Sequence, residues 1–161
     1  MRRTPEAETR RAPWADIALF APAALFASVS LSYSFGRDQS IFFYVGREWA
    51  TRGALPYRDT FDLKSPFVYA VHAALVTVTG ENTWAIRACE ILAVLAIGLA
   101  MGRTVAAAEG REVPGATGAA TFAATIFYFA YFPFQDTGNC EVWCALFVAL
   151  ALFVLPCGRA K

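Results

Sequence analysis

Charge is scarce in this sequence: only 17% of its 161 residues are Asp, Glu, Lys or Arg, against ~25% in an average soluble domain. Fourteen cations against thirteen anions leave a formal charge of +1. The chain therefore has neither the basic surplus of a nucleic-acid binder nor the high net charge of a disordered segment. The shortage is concentrated, because residues 17–36, 91–102, 113–135 and 142–158 contain no charged side chain. A water-soluble enzyme is excluded on that pattern, and the 57% hydrophobic content points to an integral membrane protein.

Histidine is nearly missing too. His72 is the sole one, which excludes a His-rich metal centre and gives no basis for a Ser-His-Asp triad. The four cysteines, Cys89, Cys140, Cys144 and Cys157, lie in or beside apolar stretches, and no two are spaced as CxxC. Cys140 and Cys144 share a face if that stretch is helical, and small apolar packing residues are the preferred reading over a metal pair.

What the sequence does contain is apolar length. Four arginines, Arg2, Arg3, Arg10 and Arg11, precede twenty uncharged residues at 17–36. Arginines before an apolar run resemble a signal peptide, but this run matches the ~20 residues that cross a bilayer as a helix, so it reads as a retained first span. The expected architecture is all-α and polytopic, with four spans at about 16–36, 84–104, 113–134 and 141–157. A long outer loop, 37–83, separates the first two spans. A fifth apolar stretch, residues 66–80, has fifteen residues and reaches only ~22 Å as a helix. That is short of the ~30 Å hydrocarbon core, so it reads as interfacial or as packed inside the protein.

Positive charge favours the same count. Four spans put Arg2, Arg3, Arg10, Arg11, Arg103, Arg111, Arg159 and Lys161 on one side, eight in all, and Arg37, Arg47, Arg52, Arg58, Lys64 and Arg87, six, on the other. Five spans give five against nine. The positive-inside rule selects four, with both termini cytoplasmic and the chain in the cytoplasmic (inner) membrane.

The outer loop is patterned. Ile41, Phe42, Val45 and Trp49 form a helical apolar stripe opposite Arg47, Glu48 and Arg52, with Asp38 or Ser40 as N-cap and Gly53 as terminator. Such a helix is expected to lie flat on the outer leaflet. Beyond it, Pro56-Tyr57-Arg58-Asp59-Thr60-Phe61-Asp62-Leu63-Lys64-Ser65-Pro66 interleaves both signs of charge with aromatics. A carboxylate at headgroup level can bind a metal or take a proton, and a cation there can hold a phosphate. A merely solvated loop fits the composition equally well. Arg87 and Glu90 sit three apart at the start of the second span, which leaves pairing and snorkelling of Arg87 both open.

The run Asp38…Tyr44…Gly46-Arg47-Glu48…Gly53…Pro56-Tyr57-Arg58-Asp59…Phe61-Asp62…Lys64-Ser65-Pro66 resembles the first extracytoplasmic loop of C-type membrane glycosyltransferases. The branch it resembles is the protein O-mannosyltransferase and aminoarabinose-transferase-like group. Gly80-Glu81-Asn82…Ile86-Arg87 resembles the turn into that group's second membrane helix, and Asn139 and Glu141 resemble a recurrent acidic position. The resemblance covers roughly residues 15–157. It implies transfer of a sugar from a polyprenyl-phosphate-linked donor to an acceptor at the outer membrane face, with the lipid donor and membrane lipids as partners and no nucleic acid.

By the same resemblance Asp38 is the catalytic acid, as base or as ligand of a divalent ion such as Mg or Mn. Lys64 is the residue that contacts the carrier phosphate, and Tyr57, Arg58, Asp59, Arg87 and Glu141 complete the substrate-binding set. Gln39 stands where many members have a second acid, and Ser65 separates Lys64 from Pro66. Family members are several times longer, so a truncated enzyme is expected, working with a C-terminal part or another membrane subunit. Two further classes stay open: a non-catalytic membrane subunit or scaffold, and a small transporter using Arg87, Glu90 and Glu141.

Overall fold

A computed structural model describes residues 13–110, 113–131 and 137–157. Their regular structure is helical throughout: α1 Pro13–Ser28, continued by a 3-10 turn at Val29–Ser32, then α2 Arg37–Arg52, α3 Pro66–Thr79, α4 Thr83–Glu109, α5 Ala116–Tyr131 and α6 Cys140–Cys157. The all-helical expectation holds among the described residues. Two helices are long and apolar enough to cross a membrane, Pro13–Ser32 and Thr83–Glu109.

The element ends differ from the expected ones for local reasons. The first apolar run stops at Ser32 because Tyr33 turns extended (φ −100°, ψ 137°). The helix at 83–109 runs five residues past the expected 104, since Ala106, Ala107 and Ala108 favour helix, and Gly110 closes it in a left-handed conformation (φ 64°). Among the described residues the third apolar stretch is helical over Ala116–Tyr131, 16 residues, ~24 Å at 1.5 Å per residue. Its expected end at 132–134 and the cationic termini lie outside the described residues.

Helices α1, α5, α4 and α6 pack side by side in that order, with the α2–α3 hairpin set against α4 and α6. Small residues allow the tightest approaches. Gly98 and Gly102 on α4 face Thr121 and Thr117 on α5, and a Cβ added at either glycine would stand 2.4–2.5 Å from a threonine Cα. Gly118 on α5 lies equally close to the α1 backbone at Asp16, and its N–H donates to Asp16 Oδ1 at 2.8 Å. A pair of glycines four apart meeting small residues is how helices associate in lipid, where apolar burial supplies little drive.

The α2–α3 hairpin is held by Phe42, Val45, Val68, Tyr69 and His72, all buried. Phe42 meets the rings of Tyr69 and His72 edge to face, and Gly46 packs on the His72 backbone. The expected stripe therefore holds at Phe42, Val45 and half-buried Trp49, but it is rotated. Ile41 is turned outward, and Glu48 is buried rather than on the polar face. Burial of Glu48 is tolerated because Arg47 and Arg52 each pair with it at 2.7 Å. The capping expectation is also corrected: Gly36 is the N-cap with no side-chain bond, and Asp38 falls in the first turn. Gly53 ends the helix as expected, left-handed at φ 68°.

The glycine contacts make a clear stability prediction. Gly98→Ala places a methyl inside the van der Waals shell of the α5 backbone, and overpacking of that kind costs ~1–3 kcal/mol. Thermal unfolding in detergent should show a clear loss for Gly98→Ala and little change for Met101→Ala on the exposed face of the same helix. Equal behaviour of the two variants would show that α4 and α5 are not in close contact.

Candidate functional site

The polar groups gather at one end of the helical layer, in two clusters. The inner one is buried. Arg87 and Glu90, each 1% exposed, pair at 3.6 Å across one turn of α4. Arg87 donates to Thr137 Oγ1 at 2.8 Å and to the Ser34 carbonyl at 3.1 Å, and its guanidinium lies over the Phe35 ring. Glu90 accepts from the Tyr128 hydroxyl at 2.8 Å, which itself accepts from the Gly138 N–H at 2.7 Å. Gln39 Nε2 sits 3.5 Å from Glu90 and 3.4 Å from Thr137. Pairing is thus observed at Arg87, not snorkelling. Its guanidinium is turned into the bundle, where Glu90, Thr137 and Ser34 surround it.

The outer cluster is the segment between α2 and α3. Asp59 accepts from the Leu55 N–H at 2.8 Å and pairs with Arg58 at 2.6 Å. Arg58, then the Leu55 N–H, hold its carboxyl below the usual carboxylate range. Tyr57 is left-handed at φ 65°, a conformation that costs an L residue ~1–2 kcal/mol. It is held there by its N–H donating to the Thr60 carbonyl at 2.7 Å and by its hydroxyl donating to the Lys64 carbonyl. Tyr69 donates to Asp62 at 2.7 Å, and burial, reinforced by Asp62, pushes its hydroxyl well above its usual pKa so that it stays a donor. The Ser65 side chain and Pro66 start α3, as the Ser-Pro pair in the sequence suggests.

An open cleft of about 670 Å³ lies between α2 and this segment. Arg37, Ser40, Ile41 and Tyr44 form one wall, and Asp59, Thr60, Phe61 and Asp62 the other. Of the expected site residues, only Asp59 lines it. Asp38 is one residue away on α2, partly exposed and paired with Arg37 at 3.5 Å. Lys64 is half-buried and has no carboxylate partner among the described residues. Glu141, in the first turn of α6, is exposed. The expected residues thus occupy one end of the molecule, but no hydrogen bond or ion pair joins Asp38 to Lys64.

Among the described residues no three His, Cys, Asp or Glu side chains converge, and the close neighbour of Asp38 is a guanidinium. Sequence reasoning also missed Gln39, Tyr128 and Thr137 as partners of the ion pair. Only Gln39 left a signal, as a polar residue three before Phe42 on the apolar stripe. No protein-family model, curated protein or solved structure matches the chain.

The lowered Asp59 carboxyl sets a pH dependence. A depressed pKa contributes stability that is fully present above the unfolded value, ~3.9, and is lost as pH falls through the lower folded value. Hydrogen exchange at the Leu55 amide should stay slow from pH 7 to about 4 and lose its protection only in stronger acid. Loss of protection already between pH 6 and 5, once the intrinsic rate is divided out, would contradict the Asp59 bond.

Proposed function

We propose that the chain is the N-terminal part of a C-type glycosyltransferase. It moves a sugar from a polyprenyl-phosphate donor to an acceptor at the outer face of the cytoplasmic membrane. The placement that goes with this reading is four spans with both termini cytoplasmic, supported by the eight-to-six division of cations in the sequence.

One observation carries the proposal. The apolar stretches of α1, α4, α5 and α6 contain no charged residue, while Asp38, Lys64 and an open cleft walled by Arg37, Asp59 and Asp62 all lie on the segment joining the two membrane-long helices. The charged pair within the layer, Arg87 and Glu90, lies at one end of it and is bonded to Ser34, Thr137 and Tyr128, which disfavours a transporter that needs charges along the path through the layer. In the proposed reaction the acceptor's hydroxyl or amine attacks the anomeric carbon and loses its proton to Asp38. The bond from that carbon to the phosphate oxygen breaks, and the polyprenyl phosphate leaves with its charge stabilised by Lys64, a cation with no carboxylate partner among the described residues. A non-catalytic subunit is the second reading, favoured by the bare apolar face of α6 at Phe147, Val148 and Leu152.

Asp38→Asn keeps size and shape while removing the charge. In membranes holding the full assembly it should cut transfer from a radiolabelled polyprenyl-phosphate sugar by ~10²-fold or more, and Lys64→Gln should act in the same direction, with expression unchanged. Full transfer by Asp38→Asn would sink the catalytic reading and leave the subunit reading standing.

A further inference from the structure

The segment before α3 displays two large apolar side chains to the outside. Phe61 is 81% exposed and Leu63 86%, among the most exposed large apolar residues described. They are not the accident of a loose loop. Asp62 between them is turned inward to Tyr69 and also accepts from the Leu63 N–H at 2.7 Å. The Lys64 N–H donates to the Tyr69 hydroxyl and the Lys64 carbonyl accepts from Tyr57. A fixed frame therefore holds Phe61 and Leu63 exposed, with Arg58, paired to Asp59, and Lys64 flanking them in the sequence.

One contact relates this segment to α6. Phe67, in the first turn of α3 and four residues beyond Leu63, meets the ring of Phe147 on α6 at 5.4 Å between centroids. Phe147 is seven residues beyond Cys140, hence ~10 Å along the helix from its start. The start of α3 that follows the tip is thus packed on the first turns of an apolar helix.

We propose that residues 61–63 are a membrane anchor. Phe61 and Leu63 insert into the leaflet at the N-terminal end of α6, and Arg58 and Lys64 meet lipid phosphates. Aromatic and aliphatic side chains in the acyl boundary beside cations at the headgroups are the chemistry of interfacial binding, which reaches ~5–10 Å into the leaflet. Phe61 also walls the cleft, so the anchor opens the cleft at headgroup level. The inference requires α6 to lie in a membrane and is independent of sugar transfer.

Nitroxide labels in nanodiscs of phosphatidylcholine and phosphatidylglycerol test it, with the native cysteines replaced by serine. Labels at 61 and 63 should be open to oxygen and shielded from a water-soluble nickel chelate, like a label at Val148 on α6 and unlike one at Arg52. If Val148 is not shielded in that background, benzoylphenylalanine at 61 in the otherwise native chain decides the matter. It should photocrosslink to acyl chains. Nickel access at 61 and 63 equal to that at Arg52, or crosslinks to protein without lipid, would overturn the anchor.

Discussion

Removing Arg87 and Glu90 from water is the cost around which the polar end of this molecule is arranged. Each buried ion carries a desolvation penalty of several kcal/mol, recovered only when its remaining donors and acceptors are also met. Those partners come from four places: Ser34 and Phe35 after α1, Gln39 on α2, Tyr128 on α5, and Thr137 and Gly138 before α6. Satisfying one guanidinium and one carboxylate therefore fixes four segments relative to α4. Gly138 shows how tight the arrangement is, because a Cβ there would stand 2.8 Å from Gln39 Nε2 on a backbone already at φ 79°.

The candidate site depends on this arrangement. Gln39 is adjacent to Asp38, and α2 carries Arg37, Ser40 and Tyr44 into the cleft wall. The opposite wall rests on a second set of bonds, from Asp59 and Asp62 to Leu55 and Tyr69. One side of the cleft is thus held by a buried ion pair through Gln39, the other by a self-bonded turn on α3. Glu48, between Arg47 and Arg52, with Arg47 reaching Glu81 at 3.6 Å, ties α2 to the turn before α4.

Helices were legible in the sequence because apolar length and charge-free windows report directly on them. Gly53 marked an end that the structure reproduces. The rotation of α2 was not legible, since a glutamate between two arginines reads as a wet face until both arginines fold back onto it. Nor was the Gly98 and Gly102 seam, which looks like any small-residue run until threonines on another helix are seen opposite. The spacing of Arg87 and Glu90 left pairing and snorkelling both open, and the structure shows the pair. Their partners at Thr137 and Tyr128 were not legible, because contacts across 38 and 50 residues leave no local pattern.

The central claim is that the Arg87–Glu90 pair is buried and mutually required, and a double-mutant cycle tests it most directly. Thermal unfolding in detergent should show Arg87→Met losing ~3–5 kcal/mol, because Glu90 is left buried without its cation. Adding Glu90→Leu should then restore part of that stability, since no unpaired charge remains. If Arg87→Met costs no more than a surface change, under ~0.5 kcal/mol, or if the two losses simply add, the pair does not organise this end of the molecule.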